Sequence, residues 1–235
     1  MIFSALLFLW GQMFPFPGPG REPAAPSTIS YVAGTANFSV SNPVQTIVAL
    51  NVRGGDKIIG FCKSGGATST VFTATSTGGD SPSYLNIDFN SSYGSTQMWY
   101  IANANANSAD TFQCSNSTGN GYVDIVVMQF RGGLGVLDTQ LQGVISYTDP
   151  VTTGPFSTAI NMEVIVMCAA SWNNSSYSAG LIGGATAILG PTYTSSGDCA
   201  ACEYLITSAA QSGITASLDI GSTSQLANWG LGVFK

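Results

Sequence analysis

The strongest constraint on this chain is a rhythm. From residue 28 onward, short runs rich in β-branched and aromatic residues recur roughly every ten residues, separated by Gly, Asn, Asp, Ser or Pro. ISYVAG, NFSVSN, TIVALNV and KIIGFC come first, then STVFTAT, YLNIDF, QMWYIANA and DTFQCS. YVDIVVMQF, VISYTD, MEVIVMCA, CEYLITS, ITASLDI and WGLGVF complete the series. In YVDIVVMQF, Tyr122, Asp124, Val126, Met128 and Phe130 share one face, and Val123, Ile125, Val127 and Gln129 the other. Both faces are mostly apolar, so the run reads as a central strand covered on two sides. No stretch has the period of an amphipathic helix, and LIGGATAILG is too rich in glycine to make one. The expectation is an all-β antiparallel sandwich, jelly-roll or immunoglobulin-like, of about 12–14 strands with at most one short helical turn. Its interior should include Ile58, Phe61, Ile87, Phe89, Ile125, Val127, Val164, Val166 and Leu205.

Composition narrows the function classes. Apolar residues make up 45% of the 235-residue chain, enough for a packed core, while charged residues make up only 8%. The net charge is −6, and the six cations, Arg21, Arg53, Lys57, Lys63, Arg131 and Lys235, are scattered. No basic patch is available to neutralise phosphates, so no nucleic-acid partner is expected. The absence of histidine removes the commonest general base and metal ligand. No catalytic residue, metal or cofactor is assigned. Asp80 and Asp88 occur close together, but the spacing of a calcium loop is missing, and turn-shaping is the simpler role. Five cysteines leave at least one thiol unpaired within a monomer. Cys62 and Cys168 lie in apolar runs and are expected as buried free thiols. DCAAC places Cys199 and Cys202 in a C-x-x-C that lacks a second pair, and leaves a local disulfide open.

The start of the chain differs from the rest. Residues 1–14 are almost wholly apolar, and five of the ten prolines fall between Pro15 and Pro26. Alternating Pro-x-Pro favours an extended, semi-stiff spacer. The organisation expected is an apolar arm at 1–14, a linker at 15–27 and one β-sandwich domain at 28–235, with DPVTTGPF read as a loop crossing between sheets rather than as the seam of two subdomains. No Lys or Arg precedes Arg21 and no small-residue cleavage site follows the apolar run, so a secretion signal is not the expectation. Gly11 and Pro15 interrupt the run short of the length of a membrane span, so no membrane partner is expected. An extended arm can add to a sheet edge of a neighbour, with Phe3, Leu6, Phe8 and Trp10 as anchors.

Two further aromatic positions stand out. Trp99 and Tyr100 point to opposite faces of a strand, so one of them can be exposed, and Trp172 lies in the polar stretch SWNNSSYS. Trp172 and Tyr100 are the candidate contacts for a glycan ligand.

VRGGDKIIGF, QMWYIANANANSADTFQCS, YVDIVVMQFRGGLGVLDTQ and the closing WGLGVFK resemble a recurrent β-sandwich domain of phage structural proteins and bacterial exported proteins. Gly55–Asp56, Trp99–Tyr100, Asp110–Thr111, Phe130, Leu137–Asp138 and Trp229 occupy the places that pattern requires. The resemblance implies an adhesive or structural role and carries over no catalytic residue. The expected function is therefore a non-enzymatic structural protein of a virus particle: a phage capsid decoration, minor capsid or fibre subunit. Its partners would be other protein subunits of the particle, including copies of itself, and its location the virion. The alternative is a secreted or surface-bound glycan-binding module located outside the cell.

Overall fold

The computed structural model describes residues 28–40, 43–45, 49–66, 69–90, 94–118, 122–133, 135–146, 148–172, 176–194, 199–221 and 226–235. The expected arm, with Phe3, Leu6, Phe8 and Trp10, and the expected linker lie outside the described residues.

The first half of the chain forms β1 (Ser30–Ser39), β2 (Val44–Gln45), β3 (Leu50–Val52), β4 (Lys57–Ser64), β5 (Phe72–Ser76), β6 (Ser83–Asn90), β7 (Gly94–Ile101), β8 (Asn107–Asp110), β9 (Phe112–Asn116) and β10 (Val123–Arg131). The second forms β11 (Leu137–Ser146), β12 (Val151–Thr152), β13 (Val164–Ser171), β14 (Leu181–Ile182), β15 (Ala185–Thr186), β16 (Ile188–Thr194), β17 (Cys199–Ile206), β18 (Ser217–Leu218) and β19 (Leu226–Phe234). The protein is all-β, and every strand pairing is antiparallel. Five of the described strands are two-residue pairs; the other fourteen match the sequence expectation in number.

Two five-stranded sheets form the body, ordered β1-β10-β4-β7-β6 and β11-β19-β13-β17-β16. The orders match position for position: first strand, last strand, then three from the middle. Irregularities recur at matching places as well. β1 slips between Tyr31 and Ala33 and β11 between Leu137 and Thr139; β6 slips between Tyr84 and Ile87 and β16 between Leu189 and Thr192. The chain is thus two topologically equivalent halves. DPVTTGPF is not their seam: it carries β12 into the second half, and the halves join across 132–136.

The sheets face each other through alternate residues. Ile59, Phe61, Met98, Val126, Met128 and Phe130 meet Val164, Val166, Cys168, Ala200, Cys202 and Tyr204. The packing is that of a pseudo-two-fold dimer. β1 lies beside β16 as β11 lies beside β6, and Tyr100 meets Phe234 edge-on at 5.3 Å as Tyr204 meets Phe130 at 5.3 Å. Each outer face is also covered. Ile58, Trp99, Ile125 and Val127 lie under a cap built from β3, β5, β8 and β9, through Leu50, Val52, Phe72 and Phe112. Ile165, Met167, Trp229 and Leu231 lie under a second cap of β12, β14, β15 and β18, through Val151, Ile182 and Leu218. Double coverage explains why the central strands are apolar on both faces.

Most of the expected core is buried, including Ile58, Phe61, Ile125, Val127, Val164 and Val166. Ile87, Phe89 and Leu205 are only half-buried. For Ile87 and Phe89 the reason is position, since β6 is an edge strand whose slip begins after Tyr84. The cysteine expectation needs correcting: Cys62 and Cys168 are buried but not free. Cys62 is bonded to Cys114, joining β4 to the cap strand β9, and Cys168 is bonded to Cys202, joining β13 to β17. Cys199 is buried and lies outside both disulfides, and it cannot pair with Cys202, because residues three apart on a strand point to opposite faces.

Candidate functional site

The sandwich has two distinct ends. Ile29, Gly133, Val136 and Lys235 gather at one, where Val136 and Lys235 exchange backbone hydrogen bonds of 3.1 and 3.0 Å. The opposite end holds the C-terminal ends of β4 and β13 and the start of β10. Trp172 follows β13 there and is 37% exposed. Lys63 and Asp124 are register partners on β4 and β10, and both side chains point between the sheets. Their charged atoms lie 3.7 Å apart, with 4% and 1% exposure. Lys63 Nζ also donates to the Ser171 carbonyl at 3.2 Å and sits 5.7 Å from the Trp172 ring centroid. The buried cation therefore fixes the indole from below. Ser171 Oγ and Tyr177 Oη lie 3.0 Å apart beside it. Tyr122, 47% exposed, stacks on Phe38 at 6.0 Å, and Phe38 stacks on Tyr193 at 5.3 Å. A Cβ at Gly65 would meet Tyr122 at 3.7 Å and Trp172 at 3.8 Å, so the two rings flank this glycine. An apolar ring face in a polar rim can bind the flat side of a neutral ligand.

The two candidate ligand contacts are not brought together. Tyr100 points between the sheets against Phe234, near the end opposite Trp172. Alternation on β7 does send Trp99 and Tyr100 to opposite faces, but both faces are covered, and Trp99 is fully buried against Phe112.

Carboxylates mostly organise backbone. Asp110 is buried and accepts from Ser76 Oγ, from Thr77 Oγ1 at 2.9 Å and from the Gly78 amide at 2.8 Å. Asp80 accepts from the Asn105 amide at 3.0 Å. Asp80 precedes β6 and Asp88 lies near its far end, so the strand keeps the two apart. Asp56, just before β4, accepts from the Arg53 amide, Gln129 Nε2 and both Arg131 Nε and a terminal Arg131 nitrogen, at 2.6–2.9 Å. Burial alone would raise its pKa, but the hydrogen bonds from Arg131, Arg53 and Gln129 hold it below the ordinary value. Glu163, just before β13, is its counterpart; burial raises its pKa, with Asp138 adding to the rise and Lys235 opposing it.

Glu203 is the carboxylate that sequence reasoning missed. It lies on the outer face of β17 with no exposed surface. One oxygen accepts from the Gly180 amide at 2.8 Å, and the other has no hydrogen-bond partner. Burial pushes its pKa up to about 7, against the smaller downward effect of the Gly180 amide. The only sequence signal was a Glu in the otherwise apolar run ACEYLI.

Among the described residues no group of three or more Cys, Asp or Glu side chains could hold a metal ion, and no helix is long and apolar enough to cross a membrane. Comparison with protein-family models, with curated proteins and with solved structures finds no match for this chain.

Proposed function

We propose that this chain is a non-enzymatic structural subunit of a virus particle, a capsid decoration, minor capsid or fibre protein, held in place by residues 1–14. One observation carries this reading. The central strands of each five-stranded sheet are already buried on both faces by described strands, so they offer the apolar segment no bare face. Seven large apolar side chains between Ile2 and Trp10 gain on the order of 10 kcal/mol if buried, before ordering costs, so the segment has reason to dock elsewhere. The described body begins at Thr28, and Ile29 beside it lies at the end opposite Trp172. An anchored subunit would thus turn its aromatic end away from the anchor. Deletion of residues 1–14 tests the reading by circular dichroism and sedimentation. The truncated chain should keep its β spectrum and lose its association with other subunits. If the truncated chain unfolds while the full-length chain is a stable monomer, the segment belongs to its own core and the reading fails.

The second reading is a secreted or cell-surface glycan-binding module. Two buried disulfides favour it, because such bonds persist in oxidising compartments. Exposed Trp172 would stack on a neutral sugar face. A tryptophan-fluorescence titration with neutral oligosaccharides, compared with Trp172→Ala, separates the readings: saturable quenching lost in the variant belongs to the second alone.

A further inference from the structure

The equivalence of the two halves isolates Glu203. In the first half Trp99 lies across from Gly60, the fourth residue of β4. In the second, Glu203 lies across from Met167, the fourth residue of β13. Both side chains point outward under their caps. Trp99 seals its cap by ring contact with Phe112 at 5.9 Å, and the Cys62–Cys114 bond ties that cap covalently to the sheet. The second cap has neither device. Its disulfide joins β13 to β17 within one sheet. The Glu203 carboxylate joins β17 to the strap Ser178–Ala187 by accepting from the Gly180 amide.

That strap is slight. It consists of β14, a Gly183–Gly184 turn with φ of 59° and 81°, and β15. Its other attachments run mainly to the segment around β18. Ser178 Oγ donates to Asp219 at 2.7 Å, the Leu181 amide to Ser217 Oγ at 3.1 Å and the Gly183 amide to the Thr215 carbonyl at 2.9 Å. Ile182 and Ala187 supply its apolar contact.

We propose that Glu203 is a proton-operated latch on the second cap: uncharged, it lets the strap Ser178–Ala187 close over β17, and ionised, it loosens the strap. A buried carboxylate with one amide partner has a poorly compensated charge, so ionisation is relieved by letting water in. The surroundings provide no compensation. Its cross-strand partners are Met167 of β13 and Leu189 of β16, and its neighbours on the same face of β17 are Ala201 and Leu205. Cys199, at the start of β17, lies on the same face beyond Ala201, and from the cap the hydrogen-bond network brings the Asp219 carboxylate, held by Ser178 and the Gly221 amide. No cation faces it from these elements among the described residues.

The sign follows from the raised affinity for a proton. Closure is favoured fully below the ordinary glutamate value of 4.5 and loses its advantage as pH rises towards about 7, above which it stays constant. Hydrogen exchange on the full chain, corrected for intrinsic rates, reads the equilibrium directly. Protection of strap amides should fall by about ten-fold to a hundred-fold between about pH 5 and about pH 7.5, while β5 and β9 in the covalently tied cap stay level. Glu203→Gln should make the strap independent of pH. Carbon-13 carboxyl shifts of Glu203 should titrate with the same midpoint as the strap. The proposal is overturned if strap protection does not change with pH, if β9 changes in step with it, or if the glutamine variant keeps the dependence. If the variant does not fold, a Glu203 titration midpoint far from that of the strap is equally decisive.

Discussion

Asp56 shows how one side chain fixes the entry to a strand. It is buried and accepts from Arg53, Gln129 and Arg131, so the loop before β4 and the end of β10 are tied to one carboxylate. The amide in Asp56→Asn fits the space but loses the charge, leaving the Gln129 and Arg131 donors with a weaker acceptor. The variant should lose about 1–3 kcal/mol in urea unfolding at neutral pH, the usual cost of an ill-satisfied buried donor or charged hydrogen bond. The pH dependence has a definite sign. Its lowered pKa means that Asp56 contributes stability above the ordinary value of 3.8 and loses it as pH falls further. The acid limb of the stability curve should therefore be shallower in the variant. Equal stability of the two proteins at neutral pH would show that the network contributes nothing net.

At the scale of strands, the sequence was legible wherever period two carried the signal. β4, β7, β10 and β13 fall on quoted runs, and the alternation in β10 correctly assigns Val126, Met128 and Phe130 to one face. The duplication was not legible, because matching positions share face and role more than identity. Asp56 corresponds to Glu163, Arg131 to Lys235 and Trp99 to Glu203, and only pairs such as Tyr100 with Tyr204 and Phe130 with Phe234 repeat a residue. Cysteine pairing was hidden for a different reason: Cys62 and Cys114 are 52 residues apart, and only the cap brings them together. No catalytic constellation was read from the sequence, and Trp172 was singled out by its polar surroundings alone. The two disulfides should therefore behave differently. Removing either pair by double alanine substitution should cost about 2–4 kcal/mol. Loss of Cys62–Cys114 should in addition open β5 and β9 to limited proteolysis, because that bond crosses between layers. Loss of Cys168–Cys202 should leave both caps resistant, because β13 and β17 stay joined by their ladder. Equal proteolysis of the two variants would refute this division of labour.

Over the whole molecule, the question is whether two equivalent halves fold as one body or two. Each half has a sheet, a cap and a core of its own, which by itself suggests independence. The inner faces argue the other way. Separating the halves would expose Phe61, Met98, Met128 and Phe130 on one side and Val164, Val166, Tyr204 and Phe234 on the other. At about 1.5–3 kcal/mol per large apolar side chain, those eight residues outweigh the 5–15 kcal/mol stability of a typical domain. The aromatic contacts are also reciprocal: Tyr100 of the first half rests on Phe234 of the second, and Tyr204 of the second on Phe130 of the first. Neither half can lose its sheet without stripping an aromatic partner from the other. Calorimetry of the full chain should accordingly give one transition whose calorimetric and van't Hoff enthalpies agree. Phe130→Ala and Phe234→Ala should each cost about 3–5 kcal/mol and lower the midpoint of that single transition. Two resolved transitions, with Phe234→Ala moving only one of them, would instead mean that the caps hold each half together without its partner.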